Sequence, residues 1–192
     1  MPGNAAAQFT LFAVAGGGFG AFTSTVNVSG IPVVPQIIGG GWSWAVVGIA
    51  SAAIAFKQPT LTVLVVLIAA VAGYYLSDLR LGVYNVIDFS TFQATSDPTN
   101  APQVTLWGGA LTDFGTWSLC AAVVSWPLAR IGVAIHRNDW WGLAARPTVP
   151  LGSAIEVLTF RLPSELAIQP RSVIVATYVT VASLSIPVTA LL

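Results

Sequence analysis

Lys57 to Asp78 reads KQPTLTVLVVLIAAVAGYYLSD, and every side chain between the two end charges is uncharged. Its centre is almost purely aliphatic. A bilayer core of about 30 Å is crossed by roughly 20 apolar residues in a helix, which satisfies its own backbone hydrogen bonds. A buried strand or core helix would not need so long a run without a charge. The stretch is therefore predicted as a membrane-spanning helix over about residues 60–77.

The whole chain has the same character. Charged residues make up 7% and hydrophobic residues 55% of the 192 positions, with a mean hydropathy of +0.80. Soluble domains carry about 25% charged residues, and this chain lacks enough charge to cover a water-facing surface. The length fits one domain, 1–192. A formal net charge of zero and the absence of a basic cluster exclude nucleic acid as a partner. The single Cys120 excludes an internal disulfide and a thiolate metal site within the chain, and is read as a packing residue.

Residues 1–56 hold no charge, yet their middle is too polar for one helix. Two are predicted, over about 9–27 and 37–56, separated by VSGIPVVPQ, whose Pro32 and Pro35 stop helices. A signal peptide is disfavoured because a basic n-region is lacking and glycines interrupt the apolar run. Within the first helix Ala13, Gly17 and Ala21 lie four apart on one face, with Gly16 and Gly20 beside them. That spacing lets backbones approach closely in lipid, for packing within the bundle or for docking a membrane protein partner. The second helix opens GGGWSW and carries Gly48 and Ala52.

A long polar connection, 78–105, carries Asp78, Arg80, Asp88, Asp97 and SDPTNAPQ and is expected to face water. Its LRLGVYNVIDFSTF portion is predicted as a short interfacial helix. Further spans are predicted over about 106–135, with Asp113 inside, over 147–162, with Glu156 inside and Arg161 at the end, and over 172–192. The fold class is thus an all-α polytopic bundle of about six transmembrane helices with no soluble domain.

Six spans put both termini on one side. Placing them in the cytoplasm sets Lys57, Arg130, Arg137 and Arg146 near inner ends, against Arg80, Arg161 and Arg171 near outer ends, a small positive-inside excess. The protein is expected in the cell membrane with the polar loop outside. At 1.5 Å per residue, Asp113 lies about 9 Å below the start of its helix and Glu156 about 9 Å before the end of its own. Thr23, Asn27, Trp42, Trp44, Tyr74, Tyr75, Trp107 and Trp117 fall at the same level, making a polar and aromatic layer in the outer half.

Two readings of that layer stand side by side. Ionisable residues in a membrane are costly and tend to face a cavity or a partner charge. Asp113 and Glu156 are accordingly the foremost candidates for ligand binding, with Arg161 as counter-charge and Trp44, Tyr75 and Trp117 as a stacking surface. Alternatively Arg161 ties helices together by pairing with one acid, and the aromatics form an interfacial belt, as Trp126, Trp140 and Trp141 do at the opposite interface. His136 has no second histidine or cysteine at ligand spacing, so no metal is expected. The chain has no GxSxG elbow, HExxH helix or phosphate-cradling glycine loop. No catalytic residue and no cofactor is predicted, and the chain is not read as an enzyme.

The Gly/Ala-rich first helix, the brief Pro-containing loop, GGGWSW, AGYYLSD and SAIEVL together resemble an uncharacterised family of small actinobacterial six-helix integral membrane proteins. In architecture the chain is also similar to the substrate-capturing S components of energy-coupling-factor transporters. That likeness implies a ligand near the outer face, bordered by Trp44, Tyr75, Asp113 and Glu156, with Ala13, Gly17 and Ala21 as a docking face. It carries no vitamin-specific signature. The expected function is a small-solute binding or transport component in the lipid bilayer. The alternative is a non-catalytic structural or accessory subunit of a larger membrane complex.

Overall fold

The computed structural model describes residues 5–55, 57–88, 102–168 and 171–191. The chain is mostly helical. Helices α1 (Ala5–Val28), α4 (Pro59–Arg80) and α5 (Trp107–Ala134) are each long and apolar enough to cross a membrane. Two shorter apolar stretches, α3 (Gly41–Ile54) and Ser172–Val188 within α9 (Ser172–Leu191), complete the apolar set.

The lead stretch forms α4, and its ends are specified locally. Pro59 stands in the first turn, where its missing N–H costs nothing. At the other end Gly82 adopts a positive φ of 73°, Val83 donates to the Asp78 carbonyl and Gly82 to that of Leu79. This is a Schellman stop, which favours glycine at its left-handed position. The predicted interfacial helix after it does not form. Residues 81–84 turn, and β1 (Asn85–Ile87) pairs antiparallel with β2 (Gln103–Thr105), Val86 opposite Val104. Val83, Val86 and Ile87 prefer extended backbone, and the stop at Gly82 has already ended the helix. FSTF, Asp97 and most of SDPTNAPQ lie outside the described residues.

The second predicted span is broken. A short helix α2 (Val34–Ile38), opened by Pro35, ends at Gly39, and Gly40 is extended before α3 starts. The three consecutive glycines offer no side-chain packing to hold the helix through the bend. Its last predicted residue, Phe56, is outside the described set.

The fifth helix runs further than predicted. α7 (Thr148–Glu156) passes through a π-helical turn, Val157–Arg161, into α8 (Leu162–Ile168). Leu162 N–H bonds to the Val157 carbonyl, five residues back. Pro163, which cannot donate, follows at once, so the widened turn sits where the regular ladder would lose a donor anyway. Glu156 is therefore about 18 Å from the helix end rather than about 9 Å. A short α6 (Trp140–Ala145) precedes α7, its first turn capped by Asp139, which accepts from Gly142 N–H at 3.1 Å.

α1 packs along α4, α5 packs on α3 and α4, and the α7–α8 segment packs on α9 and α3. The main core, Ala52, Val63, Leu67, Val71, Ala121 and Ala129, lies where α3, α4 and α5 meet. A second cluster of Val157, Ile174, Tyr178 and Ala182 joins the π turn to α9.

Candidate functional site

The α1–α4 contact is set by glycine. A Cβ on Gly16 would lie 2.2 Å from the Val66 carbonyl oxygen, one on Gly20 1.8 Å from that of Ala70, and one on Gly73 2.1 Å from that of Gly17. Gly16, Gly17 and Gly20 thus serve close packing inside the chain, and Ala13 and Ala21 are half-buried beside them. Near the C-terminal ends of α1 and α4 the seam turns polar. Ser24 Oγ donates to Asp78 at 2.6 Å, and Asn27 Nδ2 donates to Tyr74 OH at 2.9 Å. Asp78, expected in a water-facing loop, is instead buried at 5% exposure within this seam. The last turn of α4 continues through it, and α1 supplies the hydroxyl it needs.

α3 and α5 behave differently. Near their C-terminal ends they touch closely: a Cβ on Gly132 would lie 2.5 Å from the Ile49 carbonyl oxygen. Toward the N-terminal end of α3 aromatic side chains cluster beside the two helices. Trp44 meets Phe19 edge-on at 5.4 Å between centroids, Tyr74 and Tyr75 are 5.4 Å apart, and Tyr75 meets Phe114 at 6.4 Å. The space between is a cleft of about 590 Å³. Trp44, Tyr74 and Tyr75, Thr23 and Asn27, and the α5 face Trp117, Cys120, Ala121, Val124 and Leu128 line it. Cys120, read from sequence as packing, is exposed there.

Glu156 and Arg161 close the polar end of the cleft. Arg161 Nε donates to Glu156 Oε1 at 2.7 Å, and Arg161 Nη2 donates to the Gly39 carbonyl at 3.1 Å. Glu156 also accepts the N–H groups of Gly41 and Trp42, both at 3.1 Å, and so caps the start of α3. Gly41 is needed for that approach, since a Cβ there would lie 3.1 Å from Glu156 Oε2. Residues five apart on an α-helix point about 140° apart; the π turn between Glu156 and Arg161 brings them onto one face. Each side chain of the pair is 24% exposed.

Asp113 is elsewhere. Its carboxylate accepts from Tyr84 OH at 2.8 Å and is absent from the cleft lining. Burial, and donation to Asp113, push the Tyr84 phenol upward, so it stays protonated. Asp113 and Glu156, predicted at one level, therefore belong to different local arrangements. Among the described residues no group of three histidine, cysteine or acidic side chains is placed to hold a metal. Between α5 and α6 Arg137 pairs with Asp139, whose carboxyl it holds below the usual range together with the Gly142 N–H.

Set against known protein families, curated proteins and solved structures, the chain matches none. The site is accordingly read from its own geometry.

Several features of the site escape sequence reading. The Ser24–Asp78 and Tyr84–Asp113 bonds join residues far apart in the chain, and Gln36, which accepts from Tyr178 OH, carries no local signal. The Glu156 and Arg161 spacing does not match a helical pair, so only Pro163 hinted at an altered turn.

Proposed function

We propose that the protein is a multi-pass membrane protein of about six spans, non-catalytic, that binds or transports a small solute through the outer-half cleft. The cleft carries the reading. Its volume of about 590 Å³ lies within the roughly 300–1,000 Å³ of small-molecule sites, and it combines mostly apolar walls with a few convergent polar groups. The large exposed hydrophobics on α1, α4 and α5, such as Leu11, Phe22, Leu76, Leu119 and Val123, support lipid as the main solvent. In this reading both termini are cytoplasmic and the cleft's polar end faces outward. Glu156 and Arg161 orient the solute, Trp44 and Tyr75 stack on it, and Trp117 flanks the entrance.

A thermal-shift screen of the detergent-purified protein against vitamins, amino acids, nucleobases and cations tests this. A ligand at a hundredfold excess over Kd raises stability by about 2.7 kcal/mol. A hit should vanish in Glu156→Gln and persist in Asp113→Asn. Silence across the panel from a well-folded sample would count against a solute site.

A second reading, an accessory subunit of a membrane complex, is favoured by the saturation of Glu156, whose carboxylate is engaged by Arg161, Gly41 and Trp42. Gly18 lies on the open side of α1, with nothing within 4 Å of a Cβ placed there. In that reading Gly18→Leu abolishes co-purification of a partner, and an unchanged complex would sink it.

A further inference from the structure

The α5 side of the cleft is open along its length. Trp117 and Val124, both in its wall, are 58% and 40% exposed, and Cys120 between them is exposed as well. Counting from Trp107, these positions lie about 15 to 26 Å into α5. That is hydrocarbon depth for a helix that crosses a bilayer. An opening there leads into lipid.

The polar end has a definite sign. Glu156 and Arg161 are the charged residues in the lining, and their formal charges cancel. The start of α3, whose Gly41 and Trp42 N–H groups point at Glu156, adds roughly half a positive charge. The bonds to Glu156 and Gly39 use the Nε–H and one Nη2–H of Arg161 and Tyr178 engages the guanidinium as well, whereas a guanidinium carries five N–H donors. The balance favours an anion or a strong acceptor, while the deep walls, Leu67, Val71, Ala121 and Leu128, offer only hydrocarbon.

We propose that the occupant of the cleft is an amphiphile with a single anionic head on an apolar body, of the fatty-carboxylate type, which enters sideways from the bilayer between Trp117 and Val124 and sets its head against Arg161. The proposal rests on the cleft being a ligand site and names the ligand's class. A purely water-soluble solute would leave the apolar walls unfilled. A neutral hydrocarbon would use none of the remaining Arg161 donors, which an anionic head can engage by charge-assisted hydrogen bonds.

Cys120, the single cysteine of the chain, reports occupancy directly. The protein in phosphatidylcholine nanodiscs is treated with an apolar maleimide, and the rate of Cys120 alkylation is followed by mass spectrometry. The probes are oleate, oleyl alcohol of the same chain length, and acetate. Oleate is expected to slow alkylation at least fivefold, oleyl alcohol less than twofold, and acetate not at all. Arg161→Gln should erase the difference between oleate and oleyl alcohol. Because that variant removes the partner of Glu156, Val124→Phe serves beside it: it narrows the exposed entrance, leaves the pair intact, and should reduce oleate protection to under twofold. Equal slowing by oleate and oleyl alcohol, as from general partitioning of lipid chains, overturns the anionic-head assignment. Protection by water-soluble members of the metabolite panel but not by oleate overturns the amphiphile and leaves the solute site standing. No protection by any compound, with no thermal shift, overturns both.

Discussion

The α1–α4 pair and the α3–α5 pair start from similar material, apolar helices with scattered glycines, and finish in opposite states. Along α1, Gly16, Gly17 and Gly20 meet α4 backbone turn after turn, and Ser24 with Asp78 locks the C-terminal ends of the two helices together. Between α3 and α5, Gly132 gives the same backbone contact near the C-terminal ends of both helices, but toward their N-terminal ends Trp44, Tyr75 and Phe114 pack against the core and a cleft remains. Packing in both pairs follows side-chain size and interhelical hydrogen bonds, as it does for apolar helices in lipid under the proposed membrane reading. One pair becomes a weld and the other a wedge with a cleft.

The most severe way to break the contrast is Gly20→Leu, which drives a side chain into the Ala70 carbonyl. It should cost about 3 kcal/mol or more, whereas Gly18→Leu, with open space around it, should stay within about 0.5 kcal/mol. Denaturant titration of both variants decides, and equal losses would contradict the described contact.

Ser24→Ala comes next. It leaves the Asp78 carboxyl buried without its hydroxyl donor, a loss of about 1–3 kcal/mol. A double-mutant cycle with Asp78→Ala should show a coupling of at least about 0.5 kcal/mol; additive losses would mean that the bond contributes nothing.

On the wedge side, Glu156→Gln removes a charge-assisted bond to Arg161 and weakens the cap on α3. A cost of about 1–2 kcal/mol is expected. Asp113→Asn keeps an acceptor for Tyr84 and should change stability by less than about 0.5 kcal/mol. Reversal of that order in thermal melts would move the important acid from the cleft to the Tyr84 turn.

The smallest effect concerns the ion pair between Glu165 of α8 and Arg171 just before α9. Arg171 bonds Glu165 through Nε at 2.8 Å and Nη2 at 2.9 Å, and holds the carboxyl at about 2, below its ordinary 4.5. A depressed folded-state pKa contributes stability above about 4.5 that is lost as pH falls toward about 2. The Tm of the parent protein should therefore fall more steeply across that window than that of Glu165→Gln. Parallel curves would show the pair to be energetically silent.

Much of the helical pattern is legible in the sequence because hydrophobic length and proline placement act locally. The uncharged run from Gln58 to Ser77 gives α4, and the four-residue spacing of small side chains marks α1 as a packing helix. The break at Gly39–Gly40 and the strand at Asn85–Ile87 were less legible, since both depend on how weakly a short segment resists bending. The candidate site was half legible. Glu156, Arg161, Trp44, Tyr75 and Trp117 all line the cleft, because helix rise alone was enough to place them at roughly one level of the bundle. Asp113 shares that level but not the cleft, because level does not fix the direction in which a side chain points around the bundle.

By itself, then, the sequence determined that this is a largely helical chain unusually poor in charge, and roughly how far along its helix most polar residues sit. The tertiary structure decided which glycine faces which carbonyl, that Asp78 is buried on Ser24, and that a π turn carries Arg161 round to Glu156. The physical reason is range. Hydropathy and helix rise are sums over neighbours in the chain, whereas a cleft exists only where side chains from separate helices fail to meet.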